Sequence, residues 1–120
     1  MVPKRNVYKT KWFAKAARKA DIADAELCEA ISEVEQGQAD DLGGGVWKKR
    51  LRKNRWRGIV LTQGRYGWLF AYLFAKADRE NIEDDELAAF KKLARDISAY
   101  SADAVQHAVD TETWMEVTCG

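Results

Sequence analysis

The chain has 120 residues, of which 47% are hydrophobic and 32% are charged, and its formal net charge is only +1. This length suits one domain with a hydrophobic core, and the composition is that of a soluble globular protein. The most apolar run, Trp68 to Ala75, is too short to span a membrane, and residues 1–20 lack the continuous apolar stretch of a signal peptide. We therefore expect a cytoplasmic protein.

Two cysteines, Cys28 and Cys119, lack any metal-ligand spacing, so the sequence predicts no metal site and no cofactor. Cys28 falls within a helical pattern, which favours a small core residue. A reducing cytoplasm disfavours a disulfide between the two.

The first third of the chain predicts a strand and a helical hairpin. Val7 to Lys11 is short and β-tolerant, and a helix follows it. A second helix begins near Asp24, and Gly37 supplies a stop. The apolar residues of the first helix recur at helical spacing and leave several cations outside: Phe13, Ala16, Ala17 and Ala20, with Lys15, Arg18 and Lys19 exposed.

From Val46 the apolar period changes to two, which is typical of strands. Strands are predicted over Val46 to Arg52, Trp56 to Thr62 and Trp68 to Lys76, and on the last of them Phe70, Tyr72, Phe74 and Lys76 are expected to point together. Asp40 to Gly45 is predicted to be a loop.

The longest predicted helix is Glu83 to Tyr100, with acids in its first turn and cations later. Beyond it, a short helix is predicted over Ala102 to Val109 and a strand or arm over Trp114 to Val117. The element order predicts an α+β domain over residues 1–100, with helices on one side of a small antiparallel sheet, and a C-terminal extension over 101–120.

Charge is partitioned along the chain. Residues 1–20 carry seven basic side chains and no acid, while residues 21–41 carry eight acids and no base. Seven of the ten residues from Lys48 to Arg57, the basic strip, are again basic. Positive charge fixed on a sheet suits a phosphate backbone, although such a strip can also be a solvated surface or a general anion-binding one.

Alternation along the strand divides the basic strip. Lys48, Arg50 and Arg52 are predicted on one face and Lys49 on the other. Lys49 and Lys53 are expected to face solvent and to take no part in the site.

Several runs resemble the RelE/HigB-like toxins of bacterial type II toxin–antitoxin modules, in the branch called phage-derived or cytotoxic translational repressors. The resemblance extends in order from Tyr8 to Ile97 and is carried by five runs: Leu27–Ala30, Asp40–Val46, Lys48–Leu51, Leu73–Ile82 and Asp85–Ala94. It implies a compact sheet with helices on one face and an open basic face on the other. It also implies cleavage of mRNA in the ribosomal A site and inhibition by a cognate antitoxin, often a helix-turn-helix protein.

RNA cleavage by the 2′-hydroxyl needs a base, an acid and cations that stabilise the crowded phosphate. Together with the resemblance, these residues predict a metal-independent endoribonuclease. The predicted catalytic residues are Arg50, Arg57, Lys76 and Lys48. The predicted RNA-binding residues are Arg52, Arg55, Trp56 and Tyr72. Trp56 also suits a sheet edge, and Tyr72 also suits the core.

Two departures from the family pattern concern the chemistry. The link between the basic strand and the next is short, and Trp56 stands where a closer sub-branch carries a histidine. The alternative interpretation is a non-catalytic binding protein on the same fold, either an antitoxin-bound co-repressor or a gyrase-type poison as in the related ParE branch.

Overall fold

The structure, a computed structural model, describes residues 6–64 and 67–119. The start of the predicted domain over residues 1–100 and the last residue of the predicted extension over 101–120 therefore lie outside the described residues. Within these ranges no helix is long and apolar enough to cross a membrane. The helices and strands of the described residues are β1 (Asn6–Thr10), α1 (Lys11–Lys19), α2 (Asp24–Glu35), β2 (Asp40–Gly43), β3 (Val46–Leu51), β4 (Trp56–Gln63), β5 (Gly67–Ala75), α3 (Asp84–Ser98), α4 (Ala102–Asp110) and β6 (Trp114–Glu116).

The six strands form one sheet in the order β2-β3-β4-β5-β1-β6. Neighbouring strands are antiparallel except for β1 and β5, which run parallel. The middle of the chain therefore forms a meander, while the first and last strands lie together at one edge. The α+β class is confirmed.

Helices cover both faces of the sheet, which corrects the expectation that they all lie on one face. Strand residues alternate between two separate buried clusters, so that Ile59 belongs to one and Val60 to the other. One cluster contains residues of α1 and α2, such as Phe13 and Leu27, and the other contains residues of α3 and α4, such as Ile97. A sheet whose central strands are apolar on both faces must be covered on both. We call the two sides the hairpin face and the α3 face.

The segment Asp40–Gly43, predicted as a loop, is strand β2. It pairs with β3 through a two-residue turn at Gly44 and Gly45, whose φ angles are +61° and +84°. Left-handed φ at both turn residues matches the twist of the two strands, and glycine adopts it without steric penalty. Asp40 and Asp41 are exposed on this edge strand, and the glycines that suggested a loop form its turn and its last residue.

The tail folds onto the domain. Both its predicted helix and its predicted strand are present, and β6 pairs with β1 at the edge of the sheet. Val117 is buried on the hairpin face, and its N–H donates to the carbonyl oxygen of Val7 at 2.8 Å.

The expectation of unpaired cysteines is wrong, because Cys28 and Cys119 form a disulfide with their Cα atoms 5.5 Å apart. The two residues are 91 positions apart. Only the pairing of β6 with β1 brings the tail to α2, and a pattern of apolar residues does not reveal that pairing. Cys28 also packs beside the core of the hairpin face, as expected.

Candidate nucleic-acid interface

Three neighbouring strands bring predicted site residues together on the α3 face. Arg50 of β3 lies opposite Arg57 of β4, which lies opposite Phe74 of β5. Two positions from these residues along the strands, Lys48 of β3 and Tyr72 of β5 both lie opposite Ile59 of β4. Side chains opposite one another on paired strands project to the same side of the sheet. We call Lys48, Arg50, Arg57 and Tyr72 the cationic face.

Helix α3 covers this side of the sheet unevenly. Its fully buried residues, Ala94 and Ile97, both lie in its C-terminal half. Arg50 is exposed to solvent. The end of the sheet that carries Arg50 is therefore accessible to a ligand.

Arg57 is only 7% exposed, and the backbone holds its guanidinium in place. Its Nη1 donates to the carbonyl oxygens of Asn54 at 2.9 Å and of Trp56 at 3.3 Å. Within residues 6–64 and 67–119 these are the acceptors that Arg57 contacts, so Nε and Nη2 remain as donors. A guanidinium fixed in this way can present a bidentate fork to a phosphate.

The turn that Arg57 holds is unusual for its residue types. Arg52, Lys53 and Asn54 have φ angles of 51°, 53° and 73°, which lie in the left-handed region. This conformation costs an L residue about 1–2 kcal/mol. The Arg57 bond to Asn54 helps to hold the turn and so fixes the basic side chains at its tip.

Lys48 and Arg50 differ in electrostatic state. Lys48 Nζ lies 3.5 Å from Asp40 Oδ2, and the lysine side chain is only 14% exposed. In the described part of the chain, no carboxylate oxygen lies within 4.0 Å of the Arg50 guanidinium. Arg50 therefore presents its full charge to solvent, while the charge of Lys48 is partly compensated.

Tyr72 is the centre of an aromatic cluster. Its ring centroid lies 5.0 Å from that of Trp12, with 25° between the two ring planes. The ring centroids of Phe74 and Phe90 lie 5.9 Å and 6.0 Å away. Tyr72 is half-buried, so it partly fills the core and partly borders the cationic face.

Arg52 does not share the face of Lys48 and Arg50, contrary to the strand-alternation prediction. β3 ends at Leu51, and the left-handed turn directs Arg52 to the hairpin face. There its N–H donates to Glu26 Oε2 at 2.7 Å, and its guanidinium lies 3.8 Å from Glu26 Oε1. Alternation applies only while the strand continues.

Lys49 also differs from the expectation that it faces solvent. It is 8% exposed, its Nζ donates to the carbonyl oxygen of Arg50 at 3.0 Å, and it lies 3.4 Å from Glu33 of α2. Lys53 is exposed, as expected. The acids of α2 thus compensate part of the basic strip.

Three further predicted residues lie at the end of the sheet. Arg55, Trp56 and Lys76 line a shallow depression of about 600 Å³. Lys76 follows the last residue of β5, and its N–H donates to the carbonyl oxygen of Arg55 at 2.9 Å. Trp56 packs against the core of the hairpin face, so its ring lies on the other side of the sheet from Arg57.

A model of the RelE toxin of the RelE/RelB toxin–antitoxin system matches residues 5–117, nearly the whole chain. The chain belongs to the RelE toxin family. The resemblance to RelE toxins seen in the sequence is therefore confirmed, and the family implies a cognate antitoxin as partner. No curated protein and no solved structure matches the chain.

In this RelE-family toxin, the structure adds residues that the sequence did not single out. Arg79 lies 5.5 Å above the ring of Phe74, and its Nη1 donates to Glu86 Oε2 at 3.2 Å. The hydrogen bond to Arg79 lowers the pKa of Glu86, and the same bond raises the pKa of Arg79. Trp12 is a further residue that the structure adds, and the sequence could have indicated it, because it lies outside the buried stripe of α1.

The histidine of the RelE-family chain, His107, lies exposed on α4, and the sequence contains no other. Among residues 6–64 and 67–119, no group of three or more His, Cys, Asp or Glu could hold a metal ion. The groups that the cationic face offers to a ligand are therefore guanidinium, ammonium and phenol.

Proposed function

We propose that this RelE-family toxin is a ribosome-dependent mRNA endoribonuclease that inhibits translation. The observation that carries the proposal is the cationic face, where Arg50 and Arg57 lie opposite each other and Lys48 lies opposite the same residue of β4 as Tyr72. Arg57 is held with donors to spare, and Arg50 is free of carboxylates in the described part of the chain.

The reaction would be an attack of the ribose 2′-oxygen on the adjacent phosphorus. The bond from phosphorus to the 5′-oxygen breaks, and the products carry a 2′,3′-cyclic phosphate and a 5′-hydroxyl. One proton leaves the 2′-hydroxyl and one reaches the departing oxygen. Negative charge accumulates on the phosphate oxygens, where preorganised cations lower the barrier.

The face suggests a division of roles. Arg57 and Arg50 would hold the phosphate, while Lys48, with Lys76 at the end of the sheet, would add charge and take part in proton transfer. Tyr72 would stack on a base or orient the sugar. Arg55 and Trp56 would contact RNA beyond the reacting phosphate, and Arg52 would do so from the hairpin face.

The ribosome would supply what the toxin lacks. The cationic face carries no histidine, and the carboxylate of Asp40 beside it is paired with Lys48 Nζ at 3.5 Å. Substrate geometry imposed by the ribosome would lower the demand on proton transfer, because correct orientation alone can contribute much of the rate. The antitoxin, which we propose to be of the helix-turn-helix type, would keep the toxin inactive.

The first prediction concerns Arg57. In a translation extract in which mRNA 5′ ends are mapped, wild type should produce new ends, and Arg57→Ala should lower the cleavage rate about 10²–10³-fold, because a fixed donor to the transition state is lost. Arg50→Ala and Lys76→Ala should each reduce cleavage. Lys92→Ala, which removes an exposed lysine from α3, should have no effect.

The outcome that would contradict the proposal must be separated from loss of folding. Arg57 also binds two backbone carbonyls, so folding of its variant must be checked by thermal melting, and the exposed Arg50 provides a second test. Intact mRNA with folded wild-type protein would exclude the endoribonuclease. If translation or growth still stopped, the non-catalytic alternative would hold. A growth assay with and without the antitoxin would test the toxin role.

A further inference from the structure

Trp12 is an exposed tryptophan at the border of the cationic face. It is the second residue of α1, is 50% exposed, and stacks on Tyr72. The buried side of α1 consists of Phe13, Ala14 and Ala17. The buried contacts of α1 are therefore made by other residues, and about half of the Trp12 side chain remains in water.

The exposed side of α1 is entirely cationic apart from this ring. Four basic residues are exposed, and within residues 6–64 and 67–119 no carboxylate lies within 4.0 Å of any of them: Lys11, Lys15, Arg18 and Lys19. At about 100° per residue, these four and Trp12 occupy one continuous arc of about 120°. The helix thus presents a single stripe of positive charge bordered by an aromatic ring.

Helix stability does not account for this stripe. Arg18 and Lys19 lie in the last turn, where the helix dipole favours cations, but Lys11 lies in the first turn, where it does not. The first turn contains no acid. Thr10 caps the helix by accepting from the N–H of Phe13 at 3.0 Å. Lys11 and Trp12 therefore need an explanation outside the helix.

We propose that α1 binds single-stranded RNA next to the cationic face. One unpaired base would stack on Trp12, and the neighbouring phosphates would follow the lysines of α1. An aromatic platform combined with a line of cations is the arrangement that holds single strands with little sequence preference. The proposal rests on the proposed function, since the bound segment would flank the phosphate that is cleaved.

The contact between Trp12 and Tyr72 indicates the path that the bound RNA would follow across the surface. The two ring centroids are 5.0 Å apart, and Tyr72 lies two strands away from Lys48 on the same face. An RNA strand leaving the cationic face past Tyr72 would therefore meet Trp12 before the rest of α1. Trp12 extends the site from the sheet to the helix.

Binding of a short fluorescent single-stranded RNA with 2′-O-methyl groups, which cannot be cleaved, tests the base contact. Trp12→Ala should weaken the Kd about tenfold, and Trp12→Phe should weaken it less, because a smaller ring still stacks. The matched control is Tyr100→Ala. Tyr100 is 42% exposed and stacks on Trp114, and it lies beyond the end of α3 at Ser98. The control should bind as wild type does.

The salt dependence of the same Kd tests the phosphate contacts. Replacing Lys15 and Lys19 together by glutamine should flatten the slope of log K against log salt by about 1.4, since each neutralised phosphate of a single strand contributes about 0.7. The matched control replaces Lys92 and Arg95 of α3 by glutamine, and its slope should equal that of wild type. Thermal melting confirms that each variant is folded.

The outcomes separate this inference from the proposed function. If wild type cleaves mRNA while the α1 variants bind and cleave as it does, the inference is overturned and the function stands. If wild type leaves mRNA intact, the function fails, and the RNA titrations alone decide the inference. If the α1 variants bind RNA normally but no longer bind the antitoxin, α1 is a protein-docking surface and the inference is again overturned.

Discussion

Backbone conformation at single residues sets the position of strand β3. Gly44 and Gly45 precede the strand and Arg52 to Asn54 follow it, and all five have left-handed φ angles. The glycines adopt this conformation without a steric penalty, whereas the other turn depends on hydrogen bonds from Arg57 and to Glu26. Because a slip of one residue would turn every side chain of a strand to the other face, these turns keep Lys48 and Arg50 on the α3 face.

Replacement of Gly45 by alanine should be the most damaging glycine change in this hairpin. A Cβ atom there would lie 2.5 Å from Thr62 Oγ1, and φ is +84°. We expect a loss of about 2–3 kcal/mol in the free energy of unfolding, measured by urea denaturation. Gly37→Ala is the matched control, because φ is +83° but nothing lies within 4 Å of the added atom. It should lose about 1 kcal/mol, and equal losses would show that the contact with Thr62 is not important.

At the scale of elements, alternation predicted side-chain direction wherever a strand is regular. Lys48 and Arg50 share a face as that rule predicted, and the positions of the main helices were predicted to within a few residues. The rule failed in β5, where the register shifts against β4. Phe70 therefore belongs to the hairpin face and Tyr72 to the α3 face, although they are two residues apart.

The misses share a physical cause. The parallel pairing of β1 with β5 and the pairing of β6 with β1 depend on contacts between residues that are distant in sequence, which a local pattern does not contain. The aromatic contact of Trp12 with Tyr72 has the same origin, since 60 residues separate the two in sequence. Local spacing predicts the face of a residue within an element, but not the element that it meets.

The start of α3 should show a pH-dependent stability. Glu86 accepts from the N–H of Glu83 at 2.8 Å and pairs with Arg79, which lowers the pKa of its carboxyl below the usual 4.5. A carboxylate whose pKa is lower in the folded state stabilises that state above the unfolded pKa, and this contribution is lost as the pH falls through the folded pKa. Glu86→Gln keeps an acceptor for Glu83 but loses the charge.

The urea midpoint of wild type should therefore exceed that of Glu86→Gln at pH 7, and the difference should shrink as the pH is lowered below about 4.5. Both side chains of the pair are about one-third exposed, so the difference should be small. Glu80→Gln, at an exposed acid with no ion pair in the described part of the chain, should match wild type at pH 7. A difference that stays constant down to acid pH would show that the charge of Glu86 does not matter.

At the scale of the whole molecule, the last strand and the arginines of the cationic face lie towards opposite edges of one sheet. β6 forms one edge beside β1, while β3, which carries Lys48 and Arg50, lies next to the other edge. The disulfide joins Cys119 to α2, and Thr118 N–H approaches Asp24 Oδ2 at 3.4 Å. The tail is thus attached to the hairpin face, away from the residues proposed to bind the phosphate.

Reduction of the disulfide should lower stability and leave the proposed mRNA cleavage unchanged. The bond closes a loop of 91 residues, and constraint of the unfolded chain by such a loop is worth about 2–4 kcal/mol. Urea unfolding with and without dithiothreitol should show this loss. The variant with both Cys28→Ser and Cys119→Ser should match the reduced protein and should not respond to dithiothreitol.

Because the cationic face lies at the other side of the sheet, mRNA cleavage by the folded reduced protein should equal that of the oxidised protein. A midpoint that reduction does not change would show that the pairing of β6 with β1 alone holds the tail in place.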